Sequence, residues 1–257
     1  MALSRYTFFV PIAGWIKSAL DFCFPGACTA CQSECDASLP LCEKCLLQLD
    51  ALATSPACGR CASPLAYPDA PCPHCRGEGA KPLDCIIAIG LYEEPMRSMI
   101  HAIKYHRDWP LAEYLADCVL ERERARELLK EAQVLVPVPL HPLRQFSRGY
   151  NQASLLTARF HRRCRIAQSE ALIRLRNTET QTHLHSRTKR EANLKNAFAL
   201  VKGKDIQGKR VVLVDDVRTT GATLRAAARE LRKGRPRSLS AIVLAVADPR
   251  GRQFETV

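Results

Sequence analysis

The feature that most constrains this chain is a cysteine pattern. Cys28/Cys31, Cys42/Cys45, Cys58/Cys61 and Cys72/Cys75 form four Cys-x-x-Cys pairs, and the set repeats after 30 residues. Two-residue spacing lets a tight turn aim both sulfurs at one ion, and two such knuckles complete the tetrahedral four-sulfur site that zinc accepts. Sequential pairing gives two equivalent ribbons, Cys28, Cys31, Cys42 and Cys45 in one and Cys58, Cys61, Cys72 and Cys75 in the other. An interleaved pairing also satisfies the spacing but breaks the repeat. Such sites are closed, so their expected role is structural, with metal binding supplying folding energy that so small a head cannot draw from a core. His74 lies inside the last pair and is expected to face solvent. Cys23, Cys85, Cys118 and Cys164 have no partner at useful spacing and read as small buried apolar residues.

A secreted disulfide framework is the rival reading, and it needs an export signal. The segment FFVPIAGWI is short, broken by Pro11, and followed by Lys17 and Asp21. No run approaches the roughly 18 apolar residues of a membrane span. A reduced, cytoplasmic chain without a membrane span is the expectation.

The 257 residues leave room for a small head, residues 1–80 with an N-terminal helix, and a body, residues 81–257. The formal charge of +12 is unevenly placed: residues 144–237 hold 23 basic side chains against 7 acidic ones. A surface of this kind attracts phosphorylated small molecules or nucleic acid, although a solvated basic face is the plainer alternative. In the body, CIIAIGLY (85–92), AQVLVPVPL (132–140), ALIRL (171–175), VVLVD (211–215) and SLSAIVLAVA (238–247) predict strands. Helical patterns over 96–105, 111–132, 151–163 and 221–233 alternate with them. Continuous apolar strands between helices predict a mostly parallel sheet covered on both faces, with ligands beyond the carboxyl ends of the strands.

One strand end carries chemistry. VVLVDDVRTTGATL (211–224) runs four apolar residues into two carboxylates, then into threonines around a glycine. Asp215 and Asp216 are expected at the strand's carboxyl end, with Thr219, Thr220, Gly221, Ala222 and Thr223 turning into the next helix. Inward-pointing amides and hydroxyls there make a phosphate cradle at a positive helix end. Carboxylates repel a phosphate, so they make sense facing neutral hydroxyls or a metal carried by the ligand. A ribose 5-phosphate meets both conditions; an ordinary acidic turn is the plainer alternative.

The stretch resembles the signature with which type I phosphoribosyltransferases bind 5-phosphoribosyl 1-diphosphate (PRPP). That resemblance implies that Asp215 and Asp216 hold the ribose hydroxyls and Thr219 to Thr223 the 5′-phosphate. Arg218 occupies a variable position and is expected to add positive charge. VLVPVPLHPLRQFSRGYNQ (134–152) resembles the pyrophosphate loop of the same fold, in which Pro139, His141, Arg144 and Arg148 would meet the diphosphate. Plainer readings are a strand stop at the prolines and a turn cap at His141. RLRNTETQTHLHSRTKREANLKNAF (174–198) resembles the mobile hood over such sites.

With the cysteine head and HAIKYHR (101–107), these motifs are together similar to the ComF family. Its members are double-zinc-ribbon proteins with a phosphoribosyltransferase domain, linked to competence for DNA uptake, with a branch related to gluconate utilisation. The resemblance implies a type I phosphoribosyltransferase fold, two structural Zn2+ sites, Mg2+ entering with PRPP, and Lys104 near the pyrophosphate end. It further implies displacement of pyrophosphate from C1 of PRPP, carried by Asp215, Asp216, Lys104 and Arg144. No residue presents itself as a general base, so the acceptor stays unnamed. A second reading has the fold binding PRPP or single-stranded DNA without turnover, with a protein partner docking on the head; a third has PRPP as a signal. Aromatic residues are 6% and not interleaved with the basic run, which speaks against DNA stacking.

Overall fold

The computed structural model describes residues 26–36, 38–75, 80–176 and 196–247. The expected N-terminal helix and the hood-like residues 177–195 lie outside the described residues. In the head, β1 (Gly26–Ala27) and β2 (Glu34–Cys35) pair antiparallel, and α1 (Glu43–Thr54) follows. The body then runs β3 (Ile86–Leu91), α2 (Met96–Tyr105), α3 (Trp109–Leu120), α4 (Glu123–Glu131) and β4 (Val134–Pro137). It continues with α5 (Pro142–Arg148), α6 (Gln152–Cys164), β5 (Ala167–Gln168), β6 (Leu172–Arg174) and β7 (Phe198–Leu200). The last elements are β8 (Arg210–Arg218), α7 (Ala222–Lys233) and β9 (Ser238–Val246).

Five strands form one sheet in the order β3-β9-β8-β4-β5, and every pairing is parallel. The side chains of β8 alternate between two cores. Val212 and Val214 join Leu156 and Phe160 of α6 on one face, while Val211 and Leu213 join Leu224, Ala228 and Leu231 of α7 on the other. The helix following β4 therefore covers one face, and the helix following the adjacent β8 covers the opposite face. Two neighbouring strands whose helices depart to opposite sides leave a crevice at their carboxyl ends, where open α/β sheets bind ligands.

Three local expectations change and one helix is added. The helix expected over 111–132 breaks into α3 and α4, because the Arg122 amide bonds Val119 O and tightens the turn. The strand at 211–215 runs on to Arg218, since β9 offers partners out to Val246. ALIRL forms β6, but in a separate antiparallel pair with β7 rather than in the main sheet. The short α5, opened by Pro142 and closed by left-handed Gly149, is too brief to show a helical period in sequence.

The head is built into the body. Cys28, Leu41, Cys45 and Leu49 share a core with Ile87, Ile89 and Met99. At the contact of α1 with β3, a Cβ on Gly90 would sit 2.6 Å from the Leu52 carbonyl, so only glycine fits there. The second ribbon meets the other end of β3: the Ile86 amide donates to Arg60 O at 2.9 Å, and Arg124 donates to the Gly59 carbonyl.

Candidate phosphoribosyl site and paired cysteine clusters

The cysteines gather into Cys28/Cys31/Cys42/Cys45 and Cys58/Cys61/Cys72/Cys75, with the four Sγ atoms of each set within 4.8 Å of one another. Sγ–Sγ separations are 3.6 Å for Cys31–Cys42, 3.6 Å for Cys61–Cys72 and 3.8 Å for Cys58–Cys75. A tetrahedron with Zn–S bonds of about 2.3 Å has edges of about 3.8 Å, whereas a disulfide closes to about 2.0 Å. Both clusters thus fit one tetrahedral ion each, and the pairing is sequential. Burial pushes the Cys45 thiol well up and the Cys61 thiol to about 12, so a cation is what lets these sulfurs ionise. Two details depart from the sequence reading. His74 does not simply face solvent, because its Nε2 is buried. Cys35 lies beside the first cluster, its thiol raised by burial and then by Cys28 and Cys42.

Asp215 and Asp216 lie near the carboxyl end of β8 and, being consecutive strand residues, project to opposite faces. Each also accepts from the next backbone amide, Asp215 Oδ1 from Asp216 N–H at 2.9 Å and Asp216 Oδ1 from Val217 N–H at 2.7 Å. Asp216 pairs with Lys104, which α2 delivers to 2.8 Å from Oδ2. Burial opposes ionisation of both partners, yet their mutual attraction wins: the Asp216 carboxyl lies below its ordinary value and the Lys104 ammonium above. Asp215 goes the other way. Burial, and then the charge of Asp216, raise it well above the usual carboxylate range.

Beyond the strand, Thr219 and Thr220 lead to Gly221 at φ +75, the left-handed region, and α7 begins at Ala222, whose amide donates to Thr220 Oγ1 at a long 3.4 Å. Ala222 and Thr223 supply the first helical residues, whose amides an anion could meet. Arg225 Nη1 donates to Thr220 O at 2.9 Å and braces the turn.

The loop after β4 is pinned at the same level. Val138 N–H donates to Val214 O at 2.8 Å, and buried Asn151 donates from Nδ2 to Val138 O at 2.9 Å while capping α6. This fixes the backbone on which Pro139 sits. His141 caps α5 by accepting the Leu143 amide through Nδ1, at 3.3 Å. Arg148 donates to Gln152 Oε1 at 2.8 Å and lies 5.5 Å from the Tyr105 ring centroid. That contact sets it beside the residue that follows Lys104, and its charge acts on both Lys104 and Asp216. Arg144 is lowered by burial and by Arg148. Arg174, which sequence reasoning misses, is lowered to about 10 by burial and then by Arg144, with Asp215 opposing. It comes from β6, and its sequence signal is only a basic residue within a short strand.

The structure thus brings Lys104, Arg144, Arg148, Asp215 and Asp216 into one electrostatically coupled crevice, with the threonine turn at its end. Arg218 does not add charge there. It turns away, donating from Nη2 to Ser63 Oγ of the second ribbon at 2.7 Å.

A parallel sheet with this strand end defines a phosphoribosyltransferase domain, and the family model "Phosphoribosyl transferase domain" matches residues 153–256. The chain is 37% identical to competence protein F of Haemophilus influenzae, over 75% of this chain and 84% of the relative. It is 33% identical to the DNA utilization protein YhgH of Salmonella typhimurium, over 78% and 88%, and 40% identical to competence protein ComFC of Bacillus subtilis, over 43% of each. A solved glutamine PRPP amidotransferase from B. subtilis overlaps 51% of this chain and 25% of its own, at TM-score 0.33 and 21% identity. The chain belongs to the ComF family of competence and DNA-utilisation proteins. Among the described residues, no helix is long and apolar enough to cross a membrane.

Proposed function

We propose that the chain binds PRPP in the β4–β8 crevice and transfers its phosphoribosyl group with release of pyrophosphate. The observation that carries this reading is the junction over residues 215–223: two carboxylates at a strand end, a left-handed glycine at the N-cap, and a helix start whose first amide is met only at a long 3.4 Å by Thr220 Oγ1. In this reading the amides and hydroxyls of Thr219 to Thr223 hold the 5′-phosphate, and Asp215 and Asp216 take the ribose hydroxyls. The Pro139 loop, His141, Arg144 and Arg148 meet the diphosphate.

Lys104 compensates Asp216 and Asp215 is raised, so an arriving anion meets far less negative charge than two free carboxylates would present. Asp215, raised first by burial and then by Asp216, suits a ligand that brings hydroxyl donors and a cation. Mg2+ bound to the diphosphate supplies charge neutralisation of the leaving group. The chain's own contribution is positioning, plus carboxylates near a cationic ribosyl centre and arginines near the departing anion. Two Zn2+ ions in the cysteine clusters hold the head together, and the thiols suit a reducing, cytoplasmic setting.

A pyrophosphate-release assay with PRPP, Mg2+ and a panel of nucleobases and amines tests the transfer. Release that needs both PRPP and one acceptor, and that is lost in Asp216→Asn, is the expected result. PRPP binding with no release for any acceptor would remove the transfer step.

One observation favours a second reading, single-stranded DNA handling, which the names of the relatives also suggest. Aromatic side chains scattered in sequence stand exposed on the elements around the mouth: Tyr105 is 57% exposed, Trp109 55% and Phe146 89%. Arg148 lies over Tyr105, and Trp109 meets Tyr150 edge-on at 6.2 Å between centroids. Exposed rings beside arginines are what a sequence-tolerant base-stacking surface requires.

A further inference from the structure

We infer that Arg218 is a positioning residue that ties the phosphate-binding turn to the metal occupancy of the second cysteine cluster; the inference rests on the PRPP reading above. Arg218 immediately precedes Thr219, yet its side chain runs into the head and is only 8% exposed. There Nη2 donates to Ser63 Oγ at 2.7 Å. Ser63 is fully buried and belongs to the knuckle itself: its carbonyl accepts the Cys58 amide at 2.8 Å, and its Oγ lies 3.3 Å from Cys61 Sγ.

A hydroxyl has one proton to give and lone pairs with which to accept. When Cys61 is a metal-bound thiolate, the hydrogen bonds align in one direction, from Arg218 to Ser63 and from Ser63 to Cys61. A site of four thiolates filled by a divalent ion is a net anion, and it supplies the countercharge that a buried guanidinium needs. Among the described residues, Arg218 Nε has no hydrogen-bond partner, so the Ser63 contact and the nearby cluster bear most of the compensation.

The stem of the same residue supports the turn. A Cβ on Gly221 would lie 3.7 Å from both Cγ and Cδ of Arg218, and 3.0 Å from Nη1 of Arg225. The left-handed glycine therefore rests between two arginine side chains, one anchored in the head and the other on the Thr220 carbonyl. Emptying the cluster removes the anion that holds the Arg218 head, and the stem carries that change to the amides of the turn. The first cluster has no such role, because it packs into the core on the opposite face of the sheet, with Ile87 and Met99.

Coupling between two sites is reciprocal, so PRPP must tighten metal at the second cluster if that metal tightens PRPP. The test uses the full zinc-loaded chain, equilibrated with a zinc-selective chelator with and without PRPP–Mg2+. The expected result is that PRPP raises the apparent zinc affinity of one of the two sites by about tenfold. Ser63→Ala and Arg218→Met are both expected to abolish that gain while still folding and binding zinc. PRPP binding by the wild type with an unchanged zinc partition, or a gain that persists in both variants, overturns the coupling and leaves the PRPP reading intact. Absence of PRPP binding in calorimetry of the zinc-loaded wild type overturns both.

Discussion

Lys104 reaches across from α2 to 2.8 Å from Asp216 and so separates two adjacent carboxylates electrostatically: Asp216 is held ionised, while Asp215 is held towards its protonated form. The two neighbours should then respond oppositely to the same substitution. Asp216→Asn leaves a largely buried ammonium without its countercharge and costs about 1–3 kcal/mol. Asp215→Asn removes a charge that burial and Asp216 already oppose, and should raise stability at neutral pH. Thermal unfolding reads this as a lower Tm for the first variant and a higher one for the second, by about 2–4 °C per kcal/mol. Equal effects from both would contradict the asymmetry.

The same pair sets a pH dependence. Asp216 has a folded value below the unfolded one of about 3.9, so its stabilisation is present above about pH 4 and is lost as pH falls through the lower folded value. Lys104, raised, contributes below about pH 10 and loses that contribution only in stronger base. Asp215, raised, is favourable in acid and becomes a liability as pH rises through its folded value. The Tm advantage of Asp215→Asn should be small near about pH 4 and grow towards about pH 7. An advantage that stays constant over that range would count against a raised Asp215.

Metal analysis of the purified chain should find two zinc ions, one for each cysteine cluster. Because ligation needs thiolates and burial raises Cys45 and Cys61, zinc uptake should release protons and weaken on acidification from about pH 7.5 to about pH 6. Proton release is measurable in a weakly buffered titration, and a pH-independent affinity would exclude thiolate ligation of this kind.

On the DNA surface, Trp109→Ala and Phe146→Ala should each weaken single-stranded DNA binding by about fivefold or more, since stacking contributes about 1–3 kcal/mol per base. PRPP affinity should be unchanged in both. Arg148→Ala should weaken both ligands, because Arg148 sits over Tyr105 and also acts on Lys104 and Asp216. Fluorescence anisotropy at two salt concentrations separates stacking from the phosphate contribution, which falls steeply with salt.

The repeat of cysteine pairs and the run from Val211 to Thr223 are legible in the sequence because each is local: spacing alone places the sulfurs, and an apolar strand followed by a threonine-glycine turn has few other uses. What joins distant segments is not legible. Lys104 and Asp216 are brought together by the order β3-β9-β8, and no pattern in HAIKYHR announces that its lysine meets an acid on the far side of the chain. Arg218 reads as an added charge for the phosphate, since sequence gives its neighbours but not its direction; the buried Ser63 hydroxyl turns it away. Tyr105, Trp109 and Phe146 stand among Lys104, Arg107, Arg144 and Arg148 in the sequence, but their exposure, and the approach of Arg148 to the Tyr105 ring from another helix, are set only by the fold. β5 and β7, at two and three residues, are set by their neighbours rather than by any period of their own.

The most direct test is the PRPP affinity of Asp215→Asn, measured by calorimetry with Mg2+ beside its Tm. The wild type should bind one PRPP per chain, and the variant should bind at least about tenfold more weakly while melting higher, as expected where a strained carboxylate is retained for a ligand. Unchanged PRPP affinity in a variant that melts higher, or no PRPP binding by the wild type, would contradict it.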